Sequence, residues 1–309
     1  MTLFANMDRV RGTILRDEFA KILPHLTVVL VEEALEKKSV RYLLTWDQPE
    51  DIKTAWPSLE IIFVLGAGAD HFKLSEIPPD VQVVRLVSKE HAAMMQEYVT
   101  LSVLALHRDI PEYINQQHQK IWRQVPAPPL PSDRRIGVMG LGNLGKAVLK
   151  RLAPFGFSLS GWARRQHNID GVTTFYGTDG LELFLKQVDI LICLLPLTKT
   201  TKGILNYKLF STLPQGSALI HVGRGQHLNH QDLIRALESE QLRAAVIDVT
   251  EPEPLPEDHP LWSIPRVILT PHIACITRIE ACIPAISENI KRHQKGKTLN
   301  GVVDSNHGY

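Results

Sequence analysis

The stretch Arg134-Arg-Ile-Gly-Val-Met-Gly-Leu-Gly-Asn-Leu-Gly145 constrains the fold more than any other part of the chain. Ile136, Val138 and Met139 form a short apolar run of the kind a buried parallel strand requires, and Lys146-Ala-Val-Leu-Lys-Arg-Leu-Ala153 follows with helical spacing. Between them lies Gly140-x-Gly142-x-x-Gly145. The first glycine of such a loop allows a tight turn, the second lets backbone approach a pyrophosphate, and the third lets the helix pack closely on the strand. The helix start offers unpaired N–H groups and a partial positive charge to phosphates. Set between a strand and a helix, the motif marks a dinucleotide site, with Gly140, Gly142, Asn143, Leu144 and Gly145 as its loop.

The rest of the chain alternates strand and helix signals. Arg16 to Leu23 reads as helix, ended by Pro24. Strands are expected at Thr27–Val31, Val40–Trp46, Glu60–Leu65 and Val81–Val87, and a long helix from Glu90 with a break at Pro111. Val125-Pro-Ala-Pro-Pro-Leu-Pro-Ser-Asp133 can be neither helix nor central strand, so it reads as a stiff extended connector. After the glycine loop, strands are expected at Phe157–Trp162, Val188–Leu195 (ending at Pro196), Ser217–Val222, Leu242–Val249 and Arg266–Thr270. A last helix runs from about Thr277 to Lys291. This alternation specifies an α/β class with a doubly wound parallel sheet.

A site preferring NAD places an acid near the end of the second strand, about 20 residues after the loop, to hold the ribose hydroxyls. Ala163-Arg164-Arg165 stands there instead, with no carboxylate and two guanidiniums able to grip a 2′-phosphate. NADP(H) is therefore the expected cofactor, with NAD(H) less favoured. A formal net charge of +1 gives no sign of a nucleic-acid partner, and no apolar run reaches transmembrane length, so neither nucleic acid nor membrane is expected. Cys193, Cys275 and Cys282 form no paired framework, which places the protein in a reducing cytoplasm.

Three strand ends present Arg224, Glu253 and His272. In a doubly wound sheet such ends converge on the cofactor cleft. An arginine can bind a carboxylate in bidentate fashion and polarise a ketone. An imidazolium can donate a proton as hydride reaches the carbonyl carbon, and a carboxylate in hydrogen-bonding range favours the charged ring by ~1–3 pKa units. Taken singly, each residue also has a plain reading: a phosphate contact, a solvated loop acid, a turn histidine. Leu65-Gly-Ala-Gly-Ala-Asp70 follows a strand and reads on spacing alone as an ordinary βα turn. His221, His227 and His230 crowd one stretch, but no carboxylate or cysteine stands at ligand spacing and His227 follows a loop expected to face solvent, so no metal site is expected. Trp46, at a strand end, reads either as a flank to the substrate or as core packing.

Gly140-Leu-Gly-Asn-Leu-Gly145, Val222-Gly-Arg-Gly225, Asp248-Val-Thr-Glu-Pro-Glu-Pro-Leu-Pro256 and Pro271-His-Ile-Ala274 together resemble the D-2-hydroxyacid dehydrogenase family. Gly66-Ala-Gly-Ala-Asp70 is similar to that family's substrate loop, and the likeness extends over essentially the whole chain. Trp162-Ala-Arg-Arg165, Met95-Gln-Glu-Tyr98 and the closing Val303-Asp and Gly308-Tyr309 are most similar to its glyoxylate/hydroxypyruvate reductase A type. The resemblance implies that Arg224 binds and polarises a small 2-keto acid, that His272 donates the proton and that Glu253 supports it. It implies substrate contacts from Ala67 and Gly68, to which Trp46 would add the flank read from its strand-end position, and cofactor contacts from Leu195, Pro196, Val222, Gly223 and Asp248 besides the loop and the Ala163–Arg165 turn. It further implies a flavodoxin-like substrate domain from residues 1–99 and 278–309, a dinucleotide-binding domain from 100–277, and a homodimer through the latter.

Some positions depart from the family pattern. His221 and Gly223 stand where asparagine and alanine are usual, Thr250 replaces phenylalanine, and Asn143 is unusual within the loop. The same fold also serves non-catalytic, nucleotide-sensing corepressors, which carry long extensions, and dehydrogenases of other substrates such as formate. The short terminal segments and the two arginines favour a reductase.

Overall fold

The computed structural model describes residues 1–66, 68–69, 72–86, 89–276 and 278–303, with Lys89 in its backbone only. The chain divides into two compact units, Met1–His91 with Thr277–Tyr309, and Ala92–Ile276.

In the first unit, β1 (Thr2–Asn6), β2 (Thr27–Leu30), β3 (Val40–Thr45), β4 (Ile61–Val64) and β5 (Gln82–Arg85) form a sheet of order β2-β1-β3-β4-β5. Every pair is parallel, and the order is that of flavodoxin-like sheets. α1 (Arg9–Ile22) starts well before the expected Arg16, because the Asp8 carboxylate accepts the Arg11 N–H at 3.0 Å and caps the helix. It buries Gly12, Leu15 and Phe19 at helical spacing. β1 was not expected: its three buried residues, Leu3, Phe4 and Ala5, are too few to show a period. A short α2 (Ile52–Ala55) precedes β4. The last helix, Ile279–Gln294, sets Cys282, Ile283, Ile286 and Ile290 into one core with Leu3, Leu15, Phe19, Tyr42 and Phe63. Val303 N–H then donates to Val83 O at 2.8 Å, so the returning chain is part of this unit.

The second unit opens on α3 (Lys89–His107) and α4 (Ile110–His118). β6 (Arg135–Met139), α5 (Asn143–Leu152), β7 (Ser158–Ala163), β8 (Thr173–Tyr176), α6 (Gly177–Leu185) and β9 (Ile190–Cys193) follow. α7 (Tyr207–Thr212), β10 (Ser217–His221), α8 (His230–Glu238), β11 (Leu242–Ile247) and β12 (Val267–Leu269) complete it. The seven strands run β12-β11-β10-β9-β6-β7-β8, all parallel, and the order reverses beside β6. The α/β class, with one doubly wound parallel sheet and one flavodoxin-like unit, is thus the one expected from the sequence. β8 was not expected, since this edge strand has no fully buried residue.

Met95 and Val99 of α3 pack with Ile136 and Val138 in the second unit's core, so an apolar stripe continues through the helix across the expected 99/100 junction. Pro111 does not break a helix. It lies in the first turn of α4, where a missing N–H costs nothing, and the break precedes it at Asp109, with φ of +53°. Arg243 ties this corner to the sheet, pairing with the Asp109 carboxylate and donating from Nη2 to Leu106 O at 2.6 Å. β9 and β10 are buried at every residue, so both faces of the sheet are covered and polar chemistry is confined to the strand ends. Among the described residues, no helix is long and apolar enough to cross a membrane.

Candidate active site

The glycine loop sits where the strand order reverses. Gly140 has φ of +105°, and a carbon added to it would lie 2.6 Å from Leu194 O. A carbon on Gly145 would lie 1.9 Å from Gly140 O, so helix and turn meet backbone to backbone. Gly142 is the opposite case: nothing lies within 4 Å of where its side chain would start. α5 begins directly after it with no side chain capping the N–H groups, leaving them to a ligand. Close packing at two glycines and open space at the third fit a pyrophosphate. α5 buries Gly145, Val148, Leu149 and Leu152, one helical face.

Gly140 N–H donates to Trp162 O at 2.8 Å, tying the loop to the end of β7. Ala163 ends that strand, and Arg164 and Arg165 follow in an exposed turn that contains no carboxylate. Leu195 and Val222, just past β9 and β10, are buried.

The loops after β10, β11 and β12 bring Arg224, Glu253 and His272 to the same sheet edge. His272 Nδ1 donates to Glu253 Oε2 at 3.1 Å, and both side chains are about one-third to two-fifths exposed (34% and 43%). A carboxylate can only accept, so Nε2 of His272 is left to face a reactant. Arg224 Nη1 donates to Gly223 O at 2.8 Å. A carbon on Gly225 would fall 1.9 Å from Thr250 O, so the arginine loop is pressed against the Glu253 loop, with Thr250 buried beneath.

His272 has φ of +54°, a left-handed backbone for a non-glycine residue. Its anchor is Asp248, only 1% exposed. Asp248 O accepts the His272 N–H at 2.8 Å, and the carboxylate accepts Ile273 N–H at 2.8 Å, Ala274 N–H at 2.9 Å and Thr270 Oγ1 at 2.6 Å. Thr270 in turn meets the Tyr98 hydroxyl at 2.5 Å. Burial pushes that phenol up to about 12, against the effect of its hydrogen bond with Thr270, and because the Thr270 hydroxyl already donates to Asp248, Tyr98 is the donor to Thr270. The sequence placed Asp248 at the cofactor and Tyr98 in a packing helix. Their part in shaping the His272 loop was missed, and the one available signal was Thr270 directly before Pro271-His272.

Two readings of the histidines need correction. His227 does not face solvent: it is 0% exposed, as is His221. A cysteine does accompany them, since fold rather than spacing brings the Cys193 thiol to the pair, with one ligand atom from each residue within 4.8 Å of the others. His230 goes elsewhere, with Nδ1 3.2 Å from His259 Nε2.

In the first unit, Trp46 follows β3 and is 42% exposed, so it is not core. Its ring lies over the start of the Gly66 loop, 2.8 Å from where a side chain on Gly66 would begin. Gly68 is half-buried, and Ala67 lies outside the described residues.

A parallel sheet reversing at a glycine loop, with arginine, glutamate and histidine on successive strand ends, defines a nicotinamide-dependent dehydrogenase. Residues 100–274 match the family described as "D-isomer specific 2-hydroxyacid dehydrogenase, NAD binding domain", and the chain belongs to that family. It is 41% identical over 275 residues to a glyoxylate/hydroxypyruvate reductase A of Yersinia enterocolitica, covering 87% of each chain. Among solved structures it resembles a D-isomer specific 2-hydroxyacid dehydrogenase of Xanthobacter autotrophicus Py2 in complex with NADPH and MES (TM-score 0.91, 35% identity, 99% of each chain). It also resembles an NADPH-dependent glyoxylate/hydroxypyruvate reductase of Sinorhizobium meliloti in complex with NADP and sulfate (TM-score 0.90, 31% identity, 100% of this chain and 99% of that one).

Burial has a pH consequence here. It drives the His221 ring down from 6.5 to about 3, helped by His227, His230 and Arg224 nearby and opposed by the hydrogen bond to the Arg224 backbone. The unfolded chain binds this proton below about 6.5 while the folded chain refuses it until about 3, so stability falls on acidification across that window. His221→Asn should flatten this part of the acid limb in urea melts recorded at successive pH values. Parallel acid limbs for the two proteins would contradict it.

Proposed function

We propose that this chain is an NADPH-dependent reductase of small 2-keto acids, taking glyoxylate to glycolate and hydroxypyruvate to D-glycerate. The observation that carries the reading is the His272–Glu253 hydrogen bond at a strand end beside Arg224, on the sheet edge that also holds the glycine loop.

The residues divide the work. The Gly140–Gly145 loop and the α5 N-terminus hold the pyrophosphate, and Arg164 and Arg165 hold the 2′-phosphate that distinguishes NADP(H). Leu195, Pro196, Val222, Gly223 and Asp248 line the remainder of the cofactor's path. When bound, the dihydronicotinamide supplies the hydride that goes to the substrate's carbonyl carbon. Arg224 binds the substrate carboxylate and polarises the ketone. His272 gives the Nε2 proton to the carbonyl oxygen, while Glu253 holds the Nδ1 proton and keeps the ring aimed. Ala67, Gly68 and Trp46 contribute to substrate binding, residues 1–99 with 278–309 act as the substrate domain, and residues 100–277 act as the nucleotide domain.

We further infer a cytoplasmic homodimer. Leu101, Ile110, Tyr113, Ile114, Ile121 and Leu130 are exposed apolar side chains in the second unit, and Trp122 between them is 103% exposed. Large apolar side chains left exposed in this number between residues 101 and 130 suit an interface. Three cysteines kept as thiols suit a reducing compartment.

Each part has its own test. Sedimentation should give a dimer that Trp122→Glu weakens, and a wild-type monomer would refute the assembly. Replacing Arg164 and Arg165 together by alanine should cost NADPH affinity while leaving NADH nearly unchanged. Equal loss for both cofactors would show that the arginines do not read the 2′-phosphate. His272→Ala should lower glyoxylate turnover by ~10²–10⁴-fold with NADPH binding intact, the usual cost of losing a positioned general acid. Near-normal turnover in that variant would remove the proton donor, and with it the reading of the site.

A further inference from the structure

The peptide of Arg224 is gripped from both sides by the two buried histidines. Arg224 N–H donates to His227 Nδ1 at 3.0 Å, and Arg224 O lies 2.9 Å from His221 Nε2. The backbone partners fix both tautomers. A carbonyl only accepts, so His221 carries its hydrogen on Nε2; an N–H only donates, so His227 Nδ1 carries none. The other nitrogen of His227, 3.2 Å from Pro196 O, is then its donor. Both rings are 0% exposed.

Gly223 stands between them. A side-chain carbon there would lie 2.8 Å from His227 Nδ1, 3.1 Å from His227 Cε1 and 3.4 Å from His221 Cε1. The atom it would press hardest is the one that accepts the Arg224 N–H. A methyl group at 223 would thus conflict with the His227 ring, and the His221 ring, packed edge-on against it with centroids 5.8 Å apart, limits where that ring can shift, so the departures at 221 and 223 are coupled through His227.

The geometry points to His221 and His227 as positioning residues that set the Arg224 guanidinium for the keto-acid carboxylate, with Gly223 as the space that grip requires. This rests on the reading of Arg224 as the substrate's carboxylate partner. Cys193 completes a cluster with metal-ligand spacing, yet a metal on His227 would break its contact with either Arg224 N–H or Pro196 O. Both contacts hold the Arg224 loop, so the cluster serves as a clamp. Burial also drives the Cys193 thiol up to about 12, away from the thiolate a metal needs.

The test compares KM and kcat for hydroxypyruvate, NADPH affinity by nucleotide fluorescence, and melting temperature across a set of variants. Gly223→Ala should raise KM roughly 10-fold or more, the scale of leaving one buried backbone N–H without its acceptor. His227→Leu should do the same, and His227→Asn, which keeps an acceptor at the same distance along the side chain, should recover most of the loss. Gly223→Ala combined with His221→Asn should recover KM as well, because the smaller side chain returns room to the His227 ring. A purely structural role would lower the melting temperature and leave the KM of the folded enzyme unchanged, and that result overturns the clamp. Failure of the double variant to recover KM overturns the coupling of 221 with 223. Arg224→Ala separates the two levels. If it leaves KM unchanged, the reading of Arg224 itself fails. If it raises KM while Gly223→Ala and His227→Leu do not, only the clamp fails.

Discussion

In the nucleotide unit, Gly145 meets the carbonyl of Gly140 so closely that even one added carbon would sit 1.9 Å from the oxygen. That contact places the start of α5 against the end of β6. Since the strand order reverses beside β6, the helix N-terminus faces the crevice between two oppositely wound halves. Every strand in the sheet is parallel, so the loops after β9, β10, β11 and β12 emerge on the same edge as the glycine turn. The sheet interior admits almost no polarity, so this edge is where arginine, glutamate and histidine can be held without a desolvation penalty.

Holding them there has its own cost, visible at His272. A non-glycine residue in a left-handed conformation carries strain of ~1–3 kcal/mol, which the surroundings must over-determine. Asp248 does so with its main-chain carbonyl and both carboxylate oxygens, receiving His272, Ile273 and Ala274 N–H groups and the Thr270 hydroxyl. A buried carboxylate is tolerable only when so fully hydrogen-bonded. The result is a turn whose side chain reaches Glu253 while its backbone hangs from the neighbouring strand.

The features legible in the sequence were those with a local signature. The apolar runs of β9 and β10, the helical face Gly145-Val148-Leu149-Leu152 and the glycine spacing each follow from a few adjacent residues. So did the placement of the candidate trio, because each member lies in the loop that follows a strand, three residues past β10 and β12 and six past β11. The hidden features were set by contacts between distant segments. β1 is five residues with a central pair position in its sheet that only pairing reveals. Asp248 and Thr270 meet across 22 positions, and Tyr98 and Thr270 across 172. Cys193 reaches His221 only because β9 and β10 are paired in register, Cys193 opposite His221.

The histidines show why residue type alone cannot assign a role at such an edge. His272 is partly exposed and its Nδ1 partner is a carboxylate, an environment suited to the proton donor proposed for it. His221 and His227 are sealed from water, and their partners are the N–H and C=O of a single peptide, or a proline carbonyl. For His227 those partners demand one acceptor and one donor nitrogen, which is the neutral ring, while at His221 the carbonyl takes a donor nitrogen and burial keeps the ring from a second proton. One residue type therefore meets two environments at one sheet edge: a carboxylate and solvent at His272, which suit a proton donor, and buried backbone at His221 and His227, which suits a ring that holds a loop in place.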